Sequence, residues 1–412
     1  MQKIQNDIAA IYKSESARVL ASLVRILGDL DLAEEALQEA FNIALEKWPE
    51  EGVPKNPYSW LISAGKFRAI DSIRKLKRGN EILSENFSIG DEVYEETYNL
   101  EKTLVEDDQL RLIFFCCHPT LPLDSRIALS LREVCSMKTE EISRAYLLST
   151  ETIKKRISRA KALIREKQLP YEIPSKSEIS RRMSAVLHVI YLIFSEGYSA
   201  SSGENHLRKE LTDEAIYLSR QLVNLNPTPE SLGLLALLLL QESRRESRVN
   251  ENGDPIPLEK QNRSLWDQNL IQEGLQLIHQ AIISGRLGPY TIQATITSVH
   301  AVADSVENTQ WNLIVDYYDM LLSITPSPFV ELNRAIAVGM HHGPSAALTI
   351  INKLLAEDKL TSYHLLYAAK ADFSKRLGLK DEAVQAYKKA IELARQEPEQ
   401  RYLKNQLTEI LK

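Results

Sequence analysis

The chain has 412 residues, 44% apolar and 26% charged, with a net charge of −6. That length exceeds one ordinary core and fits a globular protein of two to four domains, while the net acidity excludes a uniformly basic nucleic-acid coat. Three cysteines, two of them adjacent (Cys116, Cys117), exclude a disulfide framework and fit the reducing cytoplasm. Glycine is scarce and Ala, Leu, Glu and Lys are plentiful, so an all-α fold is predicted. The first residues lack an apolar signal core. The longest apolar runs, 185–194 and 232–240, are too short to span a membrane, and no membrane association is predicted.

In chain order, residues 1–78 read as a compact helical domain. Ile8, Ile11, Tyr12, Val19, Leu20, Leu23 and Leu27 recur at helical spacing, and Gly28-Asp29 ends that helix. Asp31 is placed to cap the next, from Leu32 to Trp48. Its surface carries Glu34, Glu35, Gln38 and Glu39. A loop with three prolines, 49–57, separates it from a third helix, Tyr58 to about Arg78. Charge is strongly patterned. Lys66–Arg78 holds six basic residues and one acid; Glu81–Asp108 holds ten acids and one Lys; Arg144–Lys167 holds eight basic residues and two acids. Residues 79–100 read as an acidic linker. Two basic elements on an acidic tether suggest two DNA-contacting modules.

Residues 101–168 hold a helix-turn-helix. Thr139–Ala145 forms a short first helix, Tyr146-Leu-Leu148 the turn, and Thr150–Lys161 an amphipathic second helix with Ser149 or Thr150 as N-cap. Ile153, Ile157 and Ala160 face inward. Thr150, Thr152, Lys154, Lys155, Arg156, Arg159 and Lys161 are left to meet DNA, with the N-terminal residues nearest the bases. Cys116-Cys-His118 brings three metal-ligand types together, but adjacent cysteines chelate one tetrahedral ion poorly, so buried packing and no metal are predicted. From about 178 to 412 the chain reads as a helical array. Leu377-Gly378, Ala383, Tyr387 and Ala390 match a tetratricopeptide pattern, with an earlier copy near 333–355 and Gly343 lying 35 residues before Gly378. Arg244–Arg263 reads as an exposed loop.

The blocks Asp31-Leu-Ala-Glu-Glu-Ala-Leu-Gln-Glu-Ala-Phe41, Trp60 through Arg78, and Leu148–Lys161 resemble, in that order, those of a bacterial RNA polymerase sigma factor: the sigma-70 family, extracytoplasmic-function group. Cys116-Cys-His-Pro119, Leu192–Gly203, Ser264-Leu-Trp-Asp267 and Pro328–Ala335 are similar to landmarks of the subclass with a long tetratricopeptide-like C-terminal domain. Ser195 departs from that pattern, which has Asn before Glu-Gly-Tyr. The resemblance implies sigma region 2 at 1–78, region 4 at 101–168 and a regulatory or partner-binding domain at 178–412.

It also implies roles. Asp31, Glu34, Glu35, Gln38 and Glu39 would dock on core RNA polymerase. Asn56, Tyr58 and Trp60 would meet melted −10 bases, Asn56 at a base edge and the aromatics by stacking; Trp60 reads equally as a core residue. Lys66, Arg68, Arg74, Lys75, Lys77 and Arg78 would neutralise phosphate. Thr150, Thr152, Lys154, Lys155, Arg156, Arg159 and Lys161 would bind duplex promoter DNA at −35, bases and phosphates undivided between them. No catalytic motif and no cofactor are predicted, and a regulatory protein partner falls to the C-terminal domain. The alternative from another class is a DNA-binding repressor built on a helical-repeat scaffold.

Overall fold

The computed structural model describes residues 2–79, 108–146, 148–171, 174–198 and 208–412, so most of the predicted acidic linker lies outside the described residues. The fold is all-α; among the described residues the one β pairing is an isolated bridge between Val249 and Pro255. By internal packing the chain divides into two compact units, Met1–Val189 and Ile190–Lys412. None of the described helices is long and apolar enough to cross a membrane.

The first unit opens with α1 (Gln2–Leu27), α2 (Leu30–Glu51) and α3 (Pro57–Gly79), packed on one another. Gly28 closes α1 at φ +71, a backbone conformation that glycine adopts without steric cost, and its N–H returns to the Val24 carbonyl at 2.8 Å. Asp29, not Asp31, caps α2: its carboxylate accepts from the Leu32 N–H at 2.8 Å. The helix therefore starts two residues earlier than its hydrophobic pattern suggests. It also runs through Pro49 to Glu51, with Gly52 as its C-cap donating to the Trp48 carbonyl, although the proline ring removes one backbone donor there. Val19, Leu23, Ala33, Ala36, Ala40 and Leu61 form the centre of this bundle. Each fully buried leucine there contributes about 1.5–3 kcal/mol.

The remainder of the unit holds α4 (108–116), α5 (Leu123–Glu133), α6 (Thr139–Ala145) and α7 (Thr150–Lys167), with α7 packed on α5 and α6. Cys116 and Cys117 are fully buried, and burial raises both thiols, Cys117 to about 12. Cys117 lies 3.8 Å from the Ser130 hydroxyl. Thiols held neutral in this way pack as small apolar side chains.

The division between units falls within α8 (Lys176–Tyr198). The second unit continues with α9 (Lys209–Leu225), α10 (Pro229–Glu242), α11 (Gln268–Ser284), α12 (Pro289–Val302), α13 (Trp311–Ile324), α14 (Pro328–His342), α15 (Pro344–Ala356), α16 (His364–Arg376), α17 (Lys380–Leu393) and α18 (Glu397–Leu411). Most pack on their sequence neighbours, α10 and α12 also packing on each other, and separate apolar clusters succeed one another along the array. This is the nearest-neighbour architecture of a helical repeat. Helix α10 is apolar all round because α9, α11 and α12 all cover it.

Residues 244–263 are not a simple exposed loop. Three short 3₁₀ turns shape the stretch, Ser247 and Trp266 are buried, and its acidic side chains reach the far end of the array. Glu259 accepts two hydrogen bonds from Arg376 of α16 at 2.9 and 3.0 Å, and Asp254 pairs with Arg401 of α18 at 2.7 Å. A polar sequence with Asn-Gly and two prolines hides these contacts, since the partners lie more than a hundred residues away.

At Gly233, α10 passes close against the start of α12. A Cβ there would lie 2.4 Å from Thr291 Oγ1 and 2.6 Å from the Thr291 backbone. The backbone of α12 cannot yield as a flexible side chain would. We therefore expect Gly233→Ala to destabilise the full chain by about 1–3 kcal/mol, read as a lowered urea midpoint. An unchanged midpoint would show that α10 and α12 can separate without loss.

Candidate nucleic-acid interface

Helix α7 begins as its sequence dictates. Ser149 has extended backbone angles, and its hydroxyl accepts from the Thr152 N–H at 3.1 Å. Ile153, Ala160 and Ile164 are buried. On the opposite side Lys154, Lys155 and Arg159 are exposed. Lys154 and Arg159 have no ion-pair partner among the described residues; Lys155 lies 3.5 Å from Glu151, with both side chains in solvent. Such a pair contributes little and opens readily. Arg156 is half-buried and donates to Asp124 of α5 at 2.8 Å. The Thr150 hydroxyl donates to Ser143 at 3.3 Å, and the Thr152 hydroxyl sits 2.8 Å from that of Ser149. Both threonine hydroxyls are thus engaged in forming the helix-turn-helix.

Lys161 departs from the sequence expectation. Its side chain is only 17% exposed and pairs with Glu34 of α2 and, at 3.3 Å, with Glu133 of α5. One turn on, Arg165 pairs with Asp31 of α2. Lys161 is therefore an internal cation in this arrangement, not a member of the exposed DNA-facing set. Burial pushes the Glu133 carboxyl up to about 8, the nearby Glu34 carboxylate adds to this, and Lys161 opposes it. Lys161 itself is raised: burial works against its charge, but Glu133 and Glu34 together outweigh burial.

The acidic set on α2 divides in the same way. Asp31 and Glu34 are held by α7, whereas Glu35, Gln38 and Glu39 are exposed and form the free acidic face. Gly65 sets the distance between α2 and α3: a Cβ there would meet the Ala36 carbonyl at 3.0 Å.

At the start of α3, Asn56 caps the helix. Its carbonyl oxygen accepts from the Ser59 N–H at 3.1 Å while its amide donates to the Ser59 hydroxyl at 2.9 Å. Tyr58 is not an open stacking platform. Its hydroxyl lies 2.7 Å from that of Ser22, the Arg18 guanidinium sits 5.2 Å from its ring centre, and burial raises its pKa. Trp60 is half-buried against Trp48, ring centres 5.2 Å apart, which favours the core reading of that residue. Lys66 is half-buried and Arg68 exposed; between them Phe67 is 54% exposed, an aromatic that the sequence reading passed over. Its signal was present as a large aromatic flanked by two cations. Arg74, Lys75, Lys77 and Arg78 lie on α3, with side chains outside the described residues.

Asp108, the last acid of the acidic run 81–108, is also structural. It is 1% exposed, accepts from Ser22 at 2.7 Å and from Arg25 Nε at 2.9 and 3.0 Å, and its carbonyl accepts from the Tyr171 hydroxyl at 2.9 Å. Through Ser22 the network reaches Tyr58. It joins α1, α3, α4 and the segment after α7.

Residues 11–79 match the family model described as Sigma-70 region 2, and residues 111–164 match Sigma-70, region 4. Residues 182–282 match a family of unknown function (DUF6596), and residues 365–397, spanning most of α16 and α17, match the Tetratricopeptide repeat. An uncharacterized protein of Rhizobium meliloti (strain 1021) is 40% identical over 404 residues, covering 97% of this chain and 95% of its own length.

The Glu133 environment gives a pH dependence. An unfolded glutamate titrates near 4.5 and the folded one near 8. Between those values the folded state holds the extra proton, so stability falls as pH rises through this window. Glu133→Gln fixes the neutral form. Its unfolding midpoint relative to wild type should therefore rise from pH 5 to pH 8, by the equivalent of a few kcal/mol at most. A constant difference across that range would show that Glu133 is ionised throughout.

Proposed function

We propose that this chain, which belongs to the sigma-70 family in its extracytoplasmic-function type and carries a long C-terminal helical domain, acts in the cytoplasm by docking core RNA polymerase through Glu35, Gln38 and Glu39. It then aims the enzyme at promoters with Lys154, Lys155 and Arg159 at −35 and with α3 at the melted −10 element. Promoter recognition is the family's activity, that of a transcription factor and not of an enzyme; the assignment of these residues is our reading. The observation that carries it is the separation of two exposed faces of opposite charge, one on each matched segment. An acidic face suits a basic docking partner, and a cationic helix face suits DNA. On α3, Lys66 and Arg68 hold the backbone of the opened strand, and Phe67, exposed between them, offers an aromatic face to it. The bond-making chemistry belongs to the polymerase. The C-terminal unit regulates this activity or recruits a partner, a reading supported by the share of the chain that lies beyond region 4.

Two measurements test the reading. The full chain should co-elute with bacterial core polymerase on size exclusion, and Glu35→Lys with Glu39→Lys should abolish this. These positions are chosen because they are exposed, whereas reversing Glu34 would also break its pair with Lys161. Lys154→Ala with Arg159→Ala should weaken binding of the polymerase complex to promoter duplex and lower the salt dependence by about two counterions. Tight operator-like binding to duplex DNA by the chain alone, without co-elution, would instead establish the repressor reading.

A further inference from the structure

We propose that the base of the 243–267 segment is a binding site for a small phosphorylated anion, built from Arg244, Arg248 and Arg263 around Tyr198 and Trp266. The site lies wholly in the second unit and does not rest on the polymerase-docking reading.

Trp266 anchors it. The indole is 3% exposed and its N–H donates to the Ser247 hydroxyl at 2.8 Å. The Arg263 guanidinium lies 4.8 Å from the indole centre and that of Arg244 5.7 Å. Arg244 also donates to the Tyr198 hydroxyl at 2.8 Å. Arg248 lies 3.3 Å from the centre of the Tyr198 ring and donates to the Tyr198 carbonyl at 2.5 Å. Arg263 donates to the carbonyls of His300 and Ala303, both at 2.6 Å. These partners are neutral. They orient the three guanidinium groups without cancelling any charge.

The neighbouring Arg245 shows the contrast. It is paired with Glu242 and, at 3.2 Å, with Asp213. No carboxylate among the described residues lies within ion-pair distance of Arg244, Arg248 or Arg263, although Glu242, Asp304 and Glu307 are near enough to be felt. Arg244 Nε, Arg263 Nη2 and His300 Nδ1 are buried without a hydrogen-bond partner. Burial and the neighbouring Arg244 depress both Arg248 and Arg263, and burial with the two arginines pushes His300 down to about 4.

Half-buried cations without counter-charge are costly, and so are buried donors without acceptors. A dianion with several oxygen acceptors answers both deficits at once. Guanidinium forks recognise phosphate oxygens with directional, charge-assisted hydrogen bonds. The aromatic framing and partial burial suit a compact phosphate group better than a polymer backbone.

The test uses the full chain and inorganic pyrophosphate, titrated by calorimetry against sodium chloride of equal ionic strength. Saturable binding is expected. Arg244→Gln should weaken it at least tenfold. Arg248→Lys keeps the charge and the fold but loses the planar fork, and it should also weaken binding at an unchanged melting midpoint. The His300 imidazole, followed by NMR and assigned by its loss in His300→Gln, should titrate at higher pH when pyrophosphate is bound. If Arg244→Gln does not fold, Arg248→Lys and the His300 titration decide. No binding beyond the chloride control, wild-type affinity in the variants, or binding of a single-stranded oligonucleotide but not of pyrophosphate would each overturn the proposal.

Discussion

A single ammonium group shared by two carboxylates governs the first unit. Lys161 sits between Glu34 of α2 and the almost fully buried Glu133 of α5. Burial raises the Glu133 carboxyl, so the Lys161 charge is answered chiefly by Glu34, and that pair ties the end of α7 to α2. This contact, with the Arg165–Asp31 pair beside it, sorts the charged residues of both helices. Those that face the junction are paired across it; those on other faces of the same helices, such as Glu35 beside Glu34 and Arg159 two residues before Lys161, stay exposed and unpaired across it. The two faces assigned to polymerase and DNA are what remains after that sorting.

Asp108 performs a comparable task between α1, α4 and the segment after α7. It collects donors from Ser22 and Arg25, and Ser22 in turn holds the Tyr58 hydroxyl. An aromatic that would otherwise be available for base stacking is thereby fixed to α1. The next exposed aromatic on the basic stretch of α3 is Phe67.

The second unit follows different physics. Its apolar clusters succeed one another along the array, so most helices pack on near neighbours in the chain. The 243–267 segment breaks this local rule. Its carboxylates reach α16 and α18, while its arginines gather at its base around Trp266. Opposite charges at the two ends of one segment give it different partners. The tip is neutralised by Arg376 and Arg401; the base keeps its positive charge.

Sequence alone determined the all-α class, the helix-turn-helix with its cap at Ser149 or Thr150, and the basic and acidic segments, because helical period, capping chemistry and charge runs are local properties of the chain; the structure selects Ser149 as the cap. The family likeness was legible for the same reason: its blocks are short and keep their order. Which charged side chains are available was not legible. Lys161 and Lys155 are alike as residues on one amphipathic helix, and Tyr58 and Phe67 both lie on α3. Only packing between separate segments, 127 residues apart for Lys161 and Glu34 and 36 for Tyr58 and Ser22, decides that Lys161 and Tyr58 turn inward. The same holds for residues 244–263, whose polar composition reads as solvent-exposed loop. Long-range ion pairs and burial of Trp266 depend on which helices the fold brings near, and no local pattern encodes that proximity.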